Sequence, residues 1–174
     1  MEEMNNNAIA IANYFIDKSN SIQDDKQPLT LLRLVKYVYI AYGFALAILK
    51  RKIIDERFDK VEAWKYGPVI PSVYHSFKHN KNNPITEKSW IPVFEEENGD
   101  LLFREPKIED NEIIIVLDFV WDRYKDKSIT ELIKLLHRPG TPWEYCYKEG
   151  ENVEIHDEMT KIYYESVVKN ALRS

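Results

Sequence analysis

Cysteine occurs once in the 174 residues, at Cys146. No intramolecular disulfide can form, and a small secreted scaffold framed by disulfides is excluded. Glycine is nearly as scarce. The five glycines are scattered along the chain, so no glycine-rich loop exists to cradle a phosphate. Long apolar runs are missing too: the longest uncharged one, Tyr37 to Leu49, falls short of the ~20 residues that a membrane span needs. Positive charge is in deficit, with 24 Lys and Arg against 29 Asp and Glu, a net charge of −5 and a pI near 5.5. That balance opposes approach to a phosphate backbone, which makes nucleic acid a poor partner. Lys50-Arg51-Lys52 is the densest basic cluster, and three cations at a helix C-terminus read as dipole partners on a solvated surface. The first residues, Met1 to Asn7, are acidic and polar, the opposite of a secretory leader. The expectation is a cytoplasmic protein with no membrane partner.

What the chain does have is apolar and aromatic side chain. Hydrophobic residues make up 44% against 30% charged, enough to offset the entropy of ordering one globular domain. With no internal repeat, low-complexity tract or linker, residues 1–174 read as a single domain whose core runs from about 8 to 171. Eleven Tyr, seven Phe and four Trp suit either a core or a protein interface, and composition does not separate the two.

The apolar spacing predicts a mainly α fold around a long central helix, with one small β-hairpin. Asn6 or Asn7 is placed to cap a first helix running to about Lys18. Thr30 is a good N-cap for a second helix reaching about Leu49. Its Leu31, Leu34, Val35, Val38, Tyr42 and Ala45 keep helical spacing while Leu32, Tyr39 and Phe44 fall on other sides. A helix apolar on most sides sits at the centre of a fold. Pro71 can open a third helix to about His79 with Val73, Tyr74 and Phe77 inward. Trp90 to Phe94 and Leu101 to Phe103 flank Asn98-Gly99, a two-residue hairpin signal. A helix from Asp110 to about Lys125 carries Ile113, Val116, Leu117, Val120, Trp121 and Tyr124 on one stripe. Ser128…Glu131 and Thr141…Glu144 both read as capping boxes. The last helix, His156 to Ala171, is expected to bury Met159, Ile162, Tyr163 and Val167.

Catalytic patterns are weak. His75 and His79 lie four apart and share a helix face, but a metal needs a further protein ligand; Ser72 is a poor one and Glu87 lies across a proline-containing loop. Cys146 sits between two tyrosines in a short aromatic helix, with His137 and His156 at loop-scale distances, a setting in which small cysteines are inert packing. No catalytic residue, metal site or cofactor is expected.

The segment that stands out is Glu62-Ala63-Trp64-Lys65-Tyr66-Gly67-Pro68-Val69-Ile70-Pro71-Ser72-Val73-Tyr74. Two prolines and a glycine within six residues forbid regular helix and dictate backbone shape. One reading is a rigid turn stapled to the central helix. The other is a fixed aromatic surface for a partner, since a rigid anchor loses little entropy on binding. The candidate residues are Trp64, Lys65, Tyr66, Gly67, Pro68, Val69, Pro71 and Tyr74, with His75, His79 and Lys81 as surface neighbours.

This segment resembles the Panacea domain, the SocA-like antitoxin family also met among phage-associated proteins. Ala10 to Phe15, Leu29 to Tyr39 and the His137 to Trp143 segment with its Pro142-Trp143 pair extend the likeness over roughly residues 8 to 170. Family members often carry Gln where this chain has Val35. The resemblance implies a mostly helical antitoxin that neutralises a co-encoded toxin by direct contact. For some members it also implies handing the toxin to a cytosolic protease. The alternative is a phage- or prophage-encoded regulatory adaptor that binds a host protein or presents a client to such a protease. An operator-binding role is opposed by the charge and by the lack of a clear helix-turn-helix.

Overall fold

A computed structural model describes residues 7–22, 26–95 and 97–173. In chain order the elements are α1 (Asn7–Asn20), α2 (Leu31–Ile48), β1 (Glu62–Trp64), β2 (Gly67–Val69), α3 (Pro71–Phe77), a 3-10 turn (Lys78–Asn80), β3 (Ile91–Phe94) and β4 (Leu101–Arg104). Then come α4 (Asn111–Tyr124), α5 (Ile129–Leu136), α6 (Pro142–Cys146), β5 (Val153–Glu154) and α7 (Asp157–Ala171). The fold is mainly α, as the spacing predicts. The cap expected from the Asn6 or Asn7 side chain lies outside the described part of the chain.

Helix α2 is the hub. It packs against α1, α3, α4, α5, α7 and β2, and 15 of its 18 residues are buried. It is long and apolar enough to cross a membrane by length and composition, yet most of it lies inside this fold. Thr30 holds the N-cap position with extended backbone, but its side chain makes no capping hydrogen bond. The N-terminal end is held instead by Arg33, whose guanidinium donates to the carbonyls of Lys125 and Lys127 and to the Tyr37 hydroxyl. A buried guanidinium is tolerable only when its donors are used in this way.

Helix α4 buries Ile113, Val116, Leu117, Val120, Trp121 and Tyr124, the stripe read from spacing, and Asp110 caps it by accepting from the amides of Glu112 and Ile113. Ser128 and Glu131 form the full capping box at α5. The second box is only half made. Thr141 accepts from the Glu144 amide, but the Glu144 carboxylate reaches back to Gly140 N, because the Thr141 amide already donates to Arg138 O.

Two further expectations are corrected. The β3–β4 hairpin forms in register Phe94↔Leu101, but not around a two-residue Asn-Gly turn. Glu95 N donates to Asp100 O and Gly99 N to Glu95 O, and Gly99 takes positive φ, so the loop is longer than two residues. In α7 the fully buried residues are Thr160 and Tyr164; of the expected stripe, Tyr163 and Val167 are half-buried against the core, whereas Met159 and Ile162 are exposed. The cause is Gly43 on α2. A Cβ there would stand 2.2 Å from the Tyr164 ring, so the missing side chain makes the slot that the ring fills, edge-on to Phe44 and Tyr39. This slot sets the rotation of α7.

The sequence reads as extended around Val61 to Lys65, where β1 forms, but the pattern does not announce the sheet it enters, order β2-β1-β5. In it β1 pairs β2 with Trp64 opposite Gly67, leaving Lys65 and Tyr66 as the turn, and pairs β5 on its other edge.

Gly43→Ala is expected to lower unfolding free energy by about 1–3 kcal/mol, overpacking outweighing the ~1 kcal/mol helix-propensity gain of alanine. Urea denaturation measures it, and the loss should shrink in a Tyr164→Leu background. An unchanged midpoint would mean that α7 is not seated in this slot.

Candidate functional site

The site grows from two chemical oddities of the hub. Lys36 points inward from α2 and has no accessible surface. Its ammonium donates to Pro68 O at 3.1 Å. Gly67, at φ +108°, lies directly over it: a Cβ there would stand 3.1 Å from Lys36 Nζ and 3.5 Å from His137 Nε2. Glycine is required at this position twice over, by its backbone angle and by the space that the lysine takes. His137 then stacks flat on Trp143, ring centroids 3.5 Å apart, and Trp143 stacks on Tyr147 at 4.6 Å. Trp143 Nε1 donates to Trp64 O at 2.7 Å. The β1–β2 turn is thus pinned from below by Lys36 and from the side by Trp143.

Burial brings the Lys36 pKa down to about 7. Burial, and then the nearby Lys36 charge, also lower that of His137, whose Nε2 is buried without a hydrogen-bond partner. Both shifts favour neutral groups, the response expected of cations that have lost water. Burial likewise raises the pKa of Cys146. Its Sγ lies 3.6 Å from Met159 Sδ, a packing environment with nothing to generate a thiolate.

Beside the pinned turn lies a groove of about 470 Å³. Leu31, Leu32 and Val35 of α2 line it together with Val69. Trp64, Lys65, Tyr66, Tyr74, Lys78 and Lys81 complete its lining. Trp64 and Tyr74 meet edge-on at 4.9 Å, and Glu62 accepts from the Trp64 indole at 2.7 Å. Lys65 and Tyr66 are exposed at the tip, the ammonium standing over the tyrosine ring.

The sequence candidates therefore divide. Trp64, Lys65, Tyr66, Val69 and Tyr74 come together around the groove. Gly67 and Pro68 are buried beneath it, and Pro71 opens α3. His75 and His79 are exposed outside the groove lining; His79 contacts the neighbouring Asn80 amide. No group of three or more potential metal ligands exists among the described residues. Reasoning from sequence passed over Lys36 and Lys78. The signal for Lys36 was a single lysine inside an apolar helix, one residue after Val35.

A mainly α protein with an apolar groove beside a pinned aromatic turn is the class that fold and site define. A family model described as "Antitoxin SocA-like, Panacea domain" matches residues 34–144, which include most of α2, the turn and the His137–Trp143 stack, and the chain belongs to that family. It is 29% identical over 137 residues to Antitoxin SocA of Caulobacter vibrioides (strain NA1000 / CB15N), covering 79% of this chain and 68% of that protein. No solved structure matches the chain at a significant level.

The Lys36 shift fixes a pH dependence. An unfolded lysine titrates near 10.5 and the folded one near 7, so between those values the unfolded chain binds more protons and stability rises with pH. The cost of burying the charge is greatest below about 7. Cys146 and the buried tyrosines act with the opposite sign at higher pH, so the wild type is compared with Lys36→Met. Relative to that variant, the wild type should gain on the order of 1 kcal/mol per pH unit between about 7 and 9. A difference that is flat with pH in chemical denaturation would show that the ammonium is not desolvated.

Proposed function

We propose that this protein is a cytoplasmic antitoxin, acting as one domain, that neutralises a co-encoded toxin by direct protein contact and without catalysis of its own. Membership of the SocA-like antitoxin family supports the general role. The observation that carries direct contact is the groove itself: an apolar, aromatic-walled surface whose turn is held by Lys36 and Trp143. Such a surface meets a partner already ordered, so little binding energy is lost to fixing side chains and backbone. Tyrosine and tryptophan at such positions are the residue types that dominate binding energy in protein interfaces.

The test is growth of cells expressing the adjacent open reading frame with and without this protein, followed by co-purification. Toxicity relieved by co-expression, with a stable complex, is the expected result. Absence of toxicity, with a host protein recovered instead, would replace the antitoxin reading by that of a regulatory adaptor. Within the complex, Tyr66→Ala should leave stability within ~0.5 kcal/mol, because the side chain is exposed, and weaken the partner by about 2 kcal/mol, roughly thirtyfold. Trp64→Ala should cost both stability and binding, since its indole also packs on Tyr74. Calorimetric titration and thermal unfolding separate the two.

A further inference from the structure

The groove beside the β1–β2 turn is basic in an acidic protein. None of its lining residues is acidic, while four are lysines: Lys36, Lys65, Lys78 and Lys81. The protein as a whole carries a net charge of −5, and the other basic cluster is neutralised internally. Lys50 pairs with Glu165, Arg51 with Asp110 and Glu112, and Lys52 with Glu56 and Asp157. Among the described residues no carboxylate stands within ion-pair distance of the four groove lysines. Three of them are exposed at the rim; Lys36 is wholly buried at the base, its ammonium bonded to one carbonyl, that of Pro68. Lys36, with no accessible surface, is out of a ligand's reach, so the charge the groove offers is that of Lys65, Lys78 and Lys81, three exposed ammoniums beside a low-dielectric floor where an anion is attracted more strongly than in bulk water.

The floor limits what that anion can belong to. Leu31 and Leu32 present hydrocarbon above the buried Val35 and Val69, with Trp64 and Tyr74 alongside. A nucleic-acid strand would meet these lysines with its phosphates, but it would leave the aliphatic floor uncovered and be repelled by the remaining acidic surface. A peptide with a large apolar side chain next to an acidic one satisfies both surfaces at once. We propose that the groove is the docking site for an extended acidic and apolar segment of the partner protein. In it an apolar side chain packs on the Leu31, Leu32, Trp64 and Tyr74 surface, and carboxylates lie against Lys65, Lys78 and Lys81. This rests on the toxin-binding reading above for the identity of the partner, though not for the chemistry of the groove.

The experiment selects a random dodecapeptide display library on the full chain and on a Lys65→Glu, Lys78→Glu, Lys81→Glu variant, whose folding is checked by circular dichroism. The wild type should enrich peptides with Asp or Glu beside Leu, Phe or Trp. A fluorescein-labelled consensus peptide should bind the variant at least tenfold more weakly, lose affinity with added salt, and lose affinity when its acids are replaced by amides. Enrichment of sequences without acids, no enrichment, or equal binding to the variant would overturn the proposal. So would tighter binding of a labelled oligouridylate than of the consensus peptide. In the co-expression assay, rescue by the wild type and equally by the triple variant would refute the groove while leaving neutralisation intact. Acidic-peptide selection without rescue by the wild type would refute neutralisation while leaving the groove.

Discussion

Helix α2 is buried from Arg33 to Ala47, and it carries a lysine into that burial. Apolar contacts alone would let the elements around α2 settle in many ways, because hydrophobic attraction has no direction. An interior ammonium does have direction: its donors must meet acceptors, and Pro68 O is the acceptor supplied. That bond places β2 over the helix, and the bare backbone of Gly67 lets it come close. The β1–β2 turn, the position of Trp64 and part of the groove lining all follow. Taking a lysine out of water costs free energy, so the carbonyl that its nitrogen meets matters more than an ordinary surface hydrogen bond.

The same division between non-directional packing and directional polar contacts recurs around the hub. Arg33 ties the start of α2 to the α4–α5 connection. Asn13 of α1 exchanges two hydrogen bonds with the backbone of Ser89, at 2.9 Å each way. Tyr14 donates to Asp118 of α4 at 2.6 Å. At the other end Lys50, Arg51 and Lys52 reach acids near α4 and on α7. Exposed pairs of that kind are worth only ~0–1 kcal/mol each. Their consequence is electrostatic: the acids draw these cations inward, and the lysines around the groove are left to present their charge.

Much of the architecture was legible in the residues. The α4 stripe reads directly, because Ile113, Val116, Leu117, Val120, Trp121 and Tyr124 recur at helical spacing and bury one face, even though Ile115 and Phe119 lie exposed outside it. The Ser128 box is local chemistry and forms as read. Helix α7 was not legible to the same degree. Apolar and aromatic residues occur on several of its sides, so periodicity leaves its rotation open, and a void on another helix 121 positions earlier, Gly43 facing Tyr164, decides it. Thr141 shows the same limit at short range, since its amide already had a partner in Arg138 O.

By itself the sequence determined the helical elements, the centrality of α2 and the rigid backbone of residues 66–71, because spacing, caps and proline act within a few residues of chain. It also carried the family signature. Only the tertiary structure decided that Lys36 lies under Gly67, that His137 stacks on Trp143, and that lysines from α2, the β1–β2 turn and the end of α3 share one groove. The physical reason is that burial and charge pairing depend on which surfaces meet. Periodicity reports that a face is apolar, and the partner that covers it comes from elsewhere in the chain.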